Sequence, residues 1–170
     1  MGPARRADLR GMTVGPPLRS ALVGVLLVAA IGAAAAPGEA TTIPGTAGEI
    51  HAALVQQRSA LRALPQTPGS NRGSYARPLT HVRAAVTELL AVQSALAAAA
   101  RATGAFPNMA RIQQLLDSAL TGDGTVATQL AQAVWYIDHG APSGVSVAAQ
   151  ARSQLRQALE DSTALAKLLG

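Results

Sequence analysis

The sequence predicts an all-α fold: an up-and-down helical bundle of four to five helices that follows an N-terminal signal peptide. Three observations lead there. Apolar residues recur at alternating steps of three and four through most of the chain after residue 45, no stretch shows the period-two alternation of a half-buried strand, and glycine and proline cluster between the periodic stretches. No segment repeats with the period of about 20 to 50 residues that marks a solenoid. With 49% hydrophobic and 14% charged positions in 170 residues, there is apolar material for one domain with a sizeable core. Only 2% of positions are aromatic, so that core must be built from Leu, Val, Ile and Ala. Of the 14 basic residues only Lys167 is a lysine, a bias that fits a GC-rich coding sequence and weakens any functional reading of Ala or Arg counts.

Residues 1–40 read as a secretory signal peptide with its cleavage region. Arg5, Arg6, Arg10 and Arg19 precede an apolar run from Ala21 to Ala36, and small residues and Pro37 follow. The run is mostly alanine after Val28, which is weaker than the roughly 20 strongly apolar residues of a membrane span. Cleavage is expected near Ala35 to Ala40, giving an exported protein, periplasmic or secreted. Arg5-Arg6 fits a twin-arginine signal less well because Asp8 stands where an apolar residue is preferred. Translation from Met12 instead of Met1 leaves a signal of ordinary length with Arg19 as its charge. The chain has no cysteine, which excludes a lipoprotein anchor, disulfide staples, thiol catalysis, iron–sulfur clusters and cysteine zinc sites.

Residues 41–45 are a flexible linker, and residues 46–170 form a single helical-bundle domain. Thr46, three residues before Glu49, predicts a capping box at the start of the first helix. Ile50, Leu54, Leu61 and Leu64, with Gln57 among them, make its seam, and Pro65 ends it. Pro65 to Arg77 reads as a long loop containing Arg72 and Tyr75. The second helix, Thr80 to Thr103, organises the rest. Leu79, Val82, Val86, Leu89, Gln93, Leu96 and Ala100 are expected on one stripe, and Ala84, Ala91, Ala95, Ala98 and Ala102 on its back, interrupted by Glu88. A solvated face would carry charges there, so the alanine stripe is expected to pack against another helix or to form a homo-oligomer contact.

Gly104 caps the second helix and Pro107 precedes the third, Asn108 to Leu120, with Met109, Ile112, Leu116 and Ala119 inward. The Thr121–Thr125 segment, TGDGT, is expected to break it with two glycines, leaving either a broken rod or a hairpin. A fourth helix to about Asp138 carries Val126, Leu130, Val134 and Ile137 inward. The fifth starts near Ser143 or Ser146 and reaches Leu168, with Ala148, Ala151, Leu155, Leu159, Ala166 and Leu169 on its seam.

No motif points to a cofactor. His51, His81 and His139 fall on three different elements, and none pairs with another at the four-residue spacing that presents two imidazoles to one metal. His81 and Glu88, seven apart, stand about 10 Å apart along a helix, too far for a direct pair. Asp123 lacks the further acidic residues of a calcium loop and reads as a turn or cap residue. Trp135 and Tyr136 are adjacent, so one is expected inside and the other at a surface or pocket. No catalytic residue stands out.

Charge placement says more. Residues 41–170 carry ten basic and seven acidic side chains, a net +3 that is too small to make nucleic acid the default partner. Arg58, Arg62, Arg72, Arg77, Arg83, Arg152 and Arg156 crowd one end of the bundle if TGDGT joins its flanks into one rod, and split between the ends if it makes a hairpin. The first arrangement is a candidate anion-binding site. The sequence is therefore read as an exported, non-enzymatic interaction or binding module of the bacterial cell envelope, with anionic envelope components or another protein as partner. A carrier of a small apolar or anionic ligand between helices is one alternative. Another is a small helical enzyme holding an anionic substrate with arginines and using Glu49 or Glu88 as acid or base.

Overall fold

The computed structural model of the chain describes residues 42–66, 71–140 and 147–170; the signal-peptide reading of residues 1–40 and the start sites at Ser143 and Ser146 lie outside them. The described residues form four helices and no strand: α1 (Thr46–Ala63), α2 (Gly73–Thr103), α3 (Met109–Asp138) and α4 (Val147–Leu169).

The chain enters α1 through Gly45, which takes the left-handed φ of 88° that glycine adopts without a Cβ clash. The expected capping box does not form. The Thr46 hydroxyl turns back, fully buried, and donates to the Ile43 carbonyl at 2.8 Å. At the other end Leu64 is extended, with ψ 129°, ahead of Pro65.

The second half of the expected 65–77 loop is helix. α2 starts at Gly73, whose N–H donates to Asn71 Oδ1 at 2.9 Å, and Tyr75, Pro78 and Leu79 are buried in its first turns. Gly, Ser, Arg and Pro made this stretch read as loop, and burial of a whole tyrosine ring overrides that local preference. α2 is long and apolar enough, by length and composition, to cross a bilayer, but here its apolar seam packs against α1 and α3.

The largest correction concerns TGDGT. Thr121 to Thr125 lie inside one continuous helix, so the expected third and fourth helices are both α3, and the bundle has four helices rather than five. Gly122 is there for proximity: a Cβ on it would stand 3.1 Å from the Ala158 Cβ of α4, so the two helices approach where glycine faces alanine. At about 1.5 Å per residue, α3 with 30 residues is then as long as α2 with 31.

Each helix lies beside two others. α1 packs side by side with α2 and α4, α3 packs with the same two, and α1 and α3 stand diagonally and meet through side chains in the core. The buried apolar residues form two clusters. One gathers Ile50 and Ala53 of α1, Leu89, Val92 and Leu96 of α2, Ile112 and Leu116 of α3, and Leu165 and Leu169 of α4. The other gathers Ala60 and Leu64, Tyr75 and Val82, Val126 and Leu130, and Ala151 and Leu155 from the same four helices in order.

The seams differ in phase from those expected. In α2 the buried line runs through Leu79, Val82, Ala85, Leu89, Val92 and Leu96, while Val86 is half-buried and Gln93 is exposed. In α4 Ala158, Ser162 and Leu165 take the inner positions, and Leu159 and Ala166 are half-buried. On the back of α2, Ala91, Ala98 and Ala102 are exposed and Ala84 and Ala95 half-buried, so among the described residues no second helix covers that stripe along its length.

Candidate functional site

Two features of the described residues carry chemistry: a polar centre inside the bundle and a ring of arginines at one end. The polar centre is Gln57, Asp123 and Ser162, one residue each from α1, α3 and α4, all with no exposed surface. The Gln57 amide donates both hydrogens, to Asp123 Oδ2 at 2.8 Å and to Ser162 Oγ at 3.0 Å. Gln57 Oε1 and Asp123 Oδ1 are buried and receive no hydrogen bond. Burial pushes the Asp123 carboxyl up from 3.8 to about 7, against the smaller opposing effect of the Gln57 hydrogen bond. A protonated Asp123 adds a hydrogen-bond donor to a centre with two unpaired acceptors.

Reading Asp123 as a turn residue missed this centre, although the sequence carried the signal. Ile112, Leu116, Ala119, Asp123, Val126, Leu130 and Ala133 follow steps of four and three without interruption across TGDGT. Gln57 and Ser162 likewise occupy seam positions.

Toward the end of the bundle that holds Leu64, Tyr75, Ala133 and Ala151 lie six of the seven arginines of the anion-binding reading, while Arg58 stands beside Gln57 at mid-length. α1 ends there, α2 and α4 begin there, and α3 ends there with Asp138, the one acidic residue on these segments. Arg58, Arg62, Arg72, Arg77, Arg83 and Arg156 are exposed. Arg152 is half-buried and occupied: its Nη2 donates to the carbonyls of Leu64 at 2.7 Å and Pro65 at 3.1 Å, so it holds the end of α1 to the start of α4. Arg72 Nε lies 3.0 Å from the Asp138 carboxylate in an exposed ion pair. Five of the seven thus make no ion pair or side-chain hydrogen bond with another described residue, and their charge faces water. Glu49, Glu88, Asp117, Glu160 and Asp161 fall at mid-length or toward the opposite end, with Arg101, Arg111 and Lys167.

Trp135 stands one turn before the end of α3 and is 55% exposed; Tyr136 is half-buried. The His139 ring stacks on the indole with centroids 4.1 Å apart, and His139 Nδ1 lies 2.8 Å from the Trp135 carbonyl. Arg83, Ala127, Thr128, Ala131, Gln132 and Trp135 line an open groove of about 390 Å³ on the α2–α3 flank. A second open groove, about 430 Å³, runs between α3 and α4 beside Gly122. His81 Nδ1 lies 2.8 Å from Gln56 Oε1, and no three His, Asp or Glu among the described residues gather where a metal could be held. No family model, curated protein or solved structure matches the chain.

Proposed function

We propose that the chain is an exported, non-enzymatic helical interaction module of the bacterial envelope, an up-and-down four-helix bundle whose basic end attracts phosphate-bearing anionic components. The segregation of charge along the bundle supports this reading: six arginines and one aspartate lie toward one end with Arg58 at mid-length, five of the other six acids lie away from that end and the sixth is buried. A net charge of +3 spread evenly would attract little, but several exposed guanidiniums at one end produce a local field out of proportion to the total. The alternation of chain ends between the two apolar clusters supports the up-and-down arrangement. A pocket lined by Trp135 or Tyr136 favours the carrier reading, and Trp135 does line a groove, though one open on a flank rather than enclosed between helices. The enzyme reading wanted arginines converging with Glu49 or Glu88, and neither carboxylate lines either groove.

The test is binding of anionic phospholipid vesicles and of soluble polyphosphate as salt is raised. Arginines near an anionic surface contribute about 1 kcal/mol each. Neutralising Arg58, Arg62 and Arg156 together with Gln should weaken binding by about two orders of magnitude and flatten its salt dependence. Binding to neither anion at low salt, or binding that salt does not change, overturns the proposal.

A further inference from the structure

We infer that the α2–α3 flank at the basic end is a docking face for an anionic lipid surface, with Trp135 as the side chain that enters the headgroup layer. The inference rests on the proposed anion attraction of that end and names its source. Charge alone does not distinguish a membrane from a soluble polyanion; an exposed indole beside the charge does.

Trp135 is the only tryptophan of the chain and, among the described residues, the most exposed large apolar side chain, beside a buried core that is aliphatic apart from Tyr75. An indole with an apolar body and one N–H favours the boundary between hydrocarbon and water, where both parts are satisfied. Its surroundings fit that boundary. Arg83 shares its groove, whose floor is Ala127 and Ala131, and Arg72 reaches Asp138 one turn beyond the indole. Arg72 and Arg83 are eleven residues apart, three helical turns, and so lie on one line of α2 alongside the end of α3. The stacking of His139 on the indole holds the ring against the helix end. One apolar insertion joined to a basic patch is the two-part combination that holds a protein at an anionic bilayer when either part alone binds marginally. The arginines of α1 and α4 stand on other flanks of the same end and act through the long-range field.

Because the chain has one tryptophan, its emission reports on this face whatever residues 1–40 do, and the full chain can be used. Phosphatidylcholine vesicles containing phosphatidylglycerol should shift the emission to the blue, lipids brominated near the headgroup should quench it, and salt should reverse both. Trp135→Ala, at an exposed position, should keep the helical signal and lower the salt-sensitive part of vesicle binding about five- to tenfold. Salt-sensitive binding of phosphatidylglycerol vesicles that Arg62→Gln with Arg156→Gln weakens, but with unshifted emission, overturns the insertion and leaves the anion-attracting end standing. An equal blue shift with soluble polyphosphate overturns the lipid as occupant, and an equal shift with phosphatidylcholine alone overturns the role of charge. Absence of salt-sensitive binding to every anion overturns both this inference and the reading beneath it.

Discussion

Asp123 makes the stability of this protein depend on pH in an unusual direction. Its hydrogen-bond partner Gln57 is uncharged, so burial dominates and its pKa rises from 3.8 to about 7. The folded state therefore holds a proton that the unfolded state releases. The contribution is fully present below about pH 4, declines as pH rises, and is lost above about 7, a total of about 4 kcal/mol by linkage. Urea midpoints measured across that window should fall with rising pH, and Asp123→Asn should flatten the fall; an unchanged slope in the variant would show that other groups set it. Arg152 is the other residue with a large individual effect. Removing it leaves the Leu64 and Pro65 carbonyls without their charged donor, so Arg152→Ala should cost about 1 to 2 kcal/mol in chemical unfolding.

The two glycines of TGDGT have opposite roles within one helix. Gly122 faces Ala158 so closely that a branched side chain would force α3 and α4 apart, whereas a Cβ on Gly124 would meet nothing within 4 Å. Gly122→Val should destabilise by about 1 to 3 kcal/mol through overpacking. Gly124→Ala should stabilise by about 0.5 to 1 kcal/mol, because alanine gives up less backbone entropy on entering the helix. Thermal unfolding of the pair distinguishes a continuous α3 from a broken one. In a hairpin or loop neither contrast would be expected. The exposed Ala98 gives a third reading at this scale: Ala98→Arg should leave a lone bundle within about 0.5 kcal/mol, so a fall in native mass would reveal an assembly through the alanine face.

Across the whole molecule, the crowding of arginines that would attract anions also repels itself. At about 0.01 M salt the screening length of about 30 Å spans much of the bundle, and at about 0.15 M it shrinks to about 8 Å. Adding sodium chloride over that range should therefore raise the unfolding midpoint, by the equivalent of about 1 kcal/mol. Arg58→Gln with Arg62→Gln, both exposed and without an ion pair or side-chain hydrogen bond to another described residue, should raise the low-salt midpoint and reduce the salt effect. A midpoint that falls with salt would mean that attraction between the two ends of the bundle outweighs repulsion within one.

The helical class was legible in the sequence because a 3.6-residue period in side-chain polarity is a local property, carried by neighbours along one chain. The ends of α1 and α2 were legible for the same reason: Pro65 and Gly104 act on the backbone beside them. The uneven placement of arginine was visible too, as a condition on topology. What only tertiary structure decided was everything that depends on a partner helix. TGDGT reads as a break locally, but packing against α4 makes Gly122 a contact and Asp123 a core residue. The choice between Val86 and Gln93 or Ala85 and Val92 as inner positions is one helical step, and only the neighbours of α2 fix it. Whether the arginines of α1 and α4 come near one another turns on the continuity of α3, because a single rod returns the chain to the end where α1 finished; the unbroken seam through Asp123 carried that continuity, and the two glycines masked it until the packing of α4 on Gly122 was known.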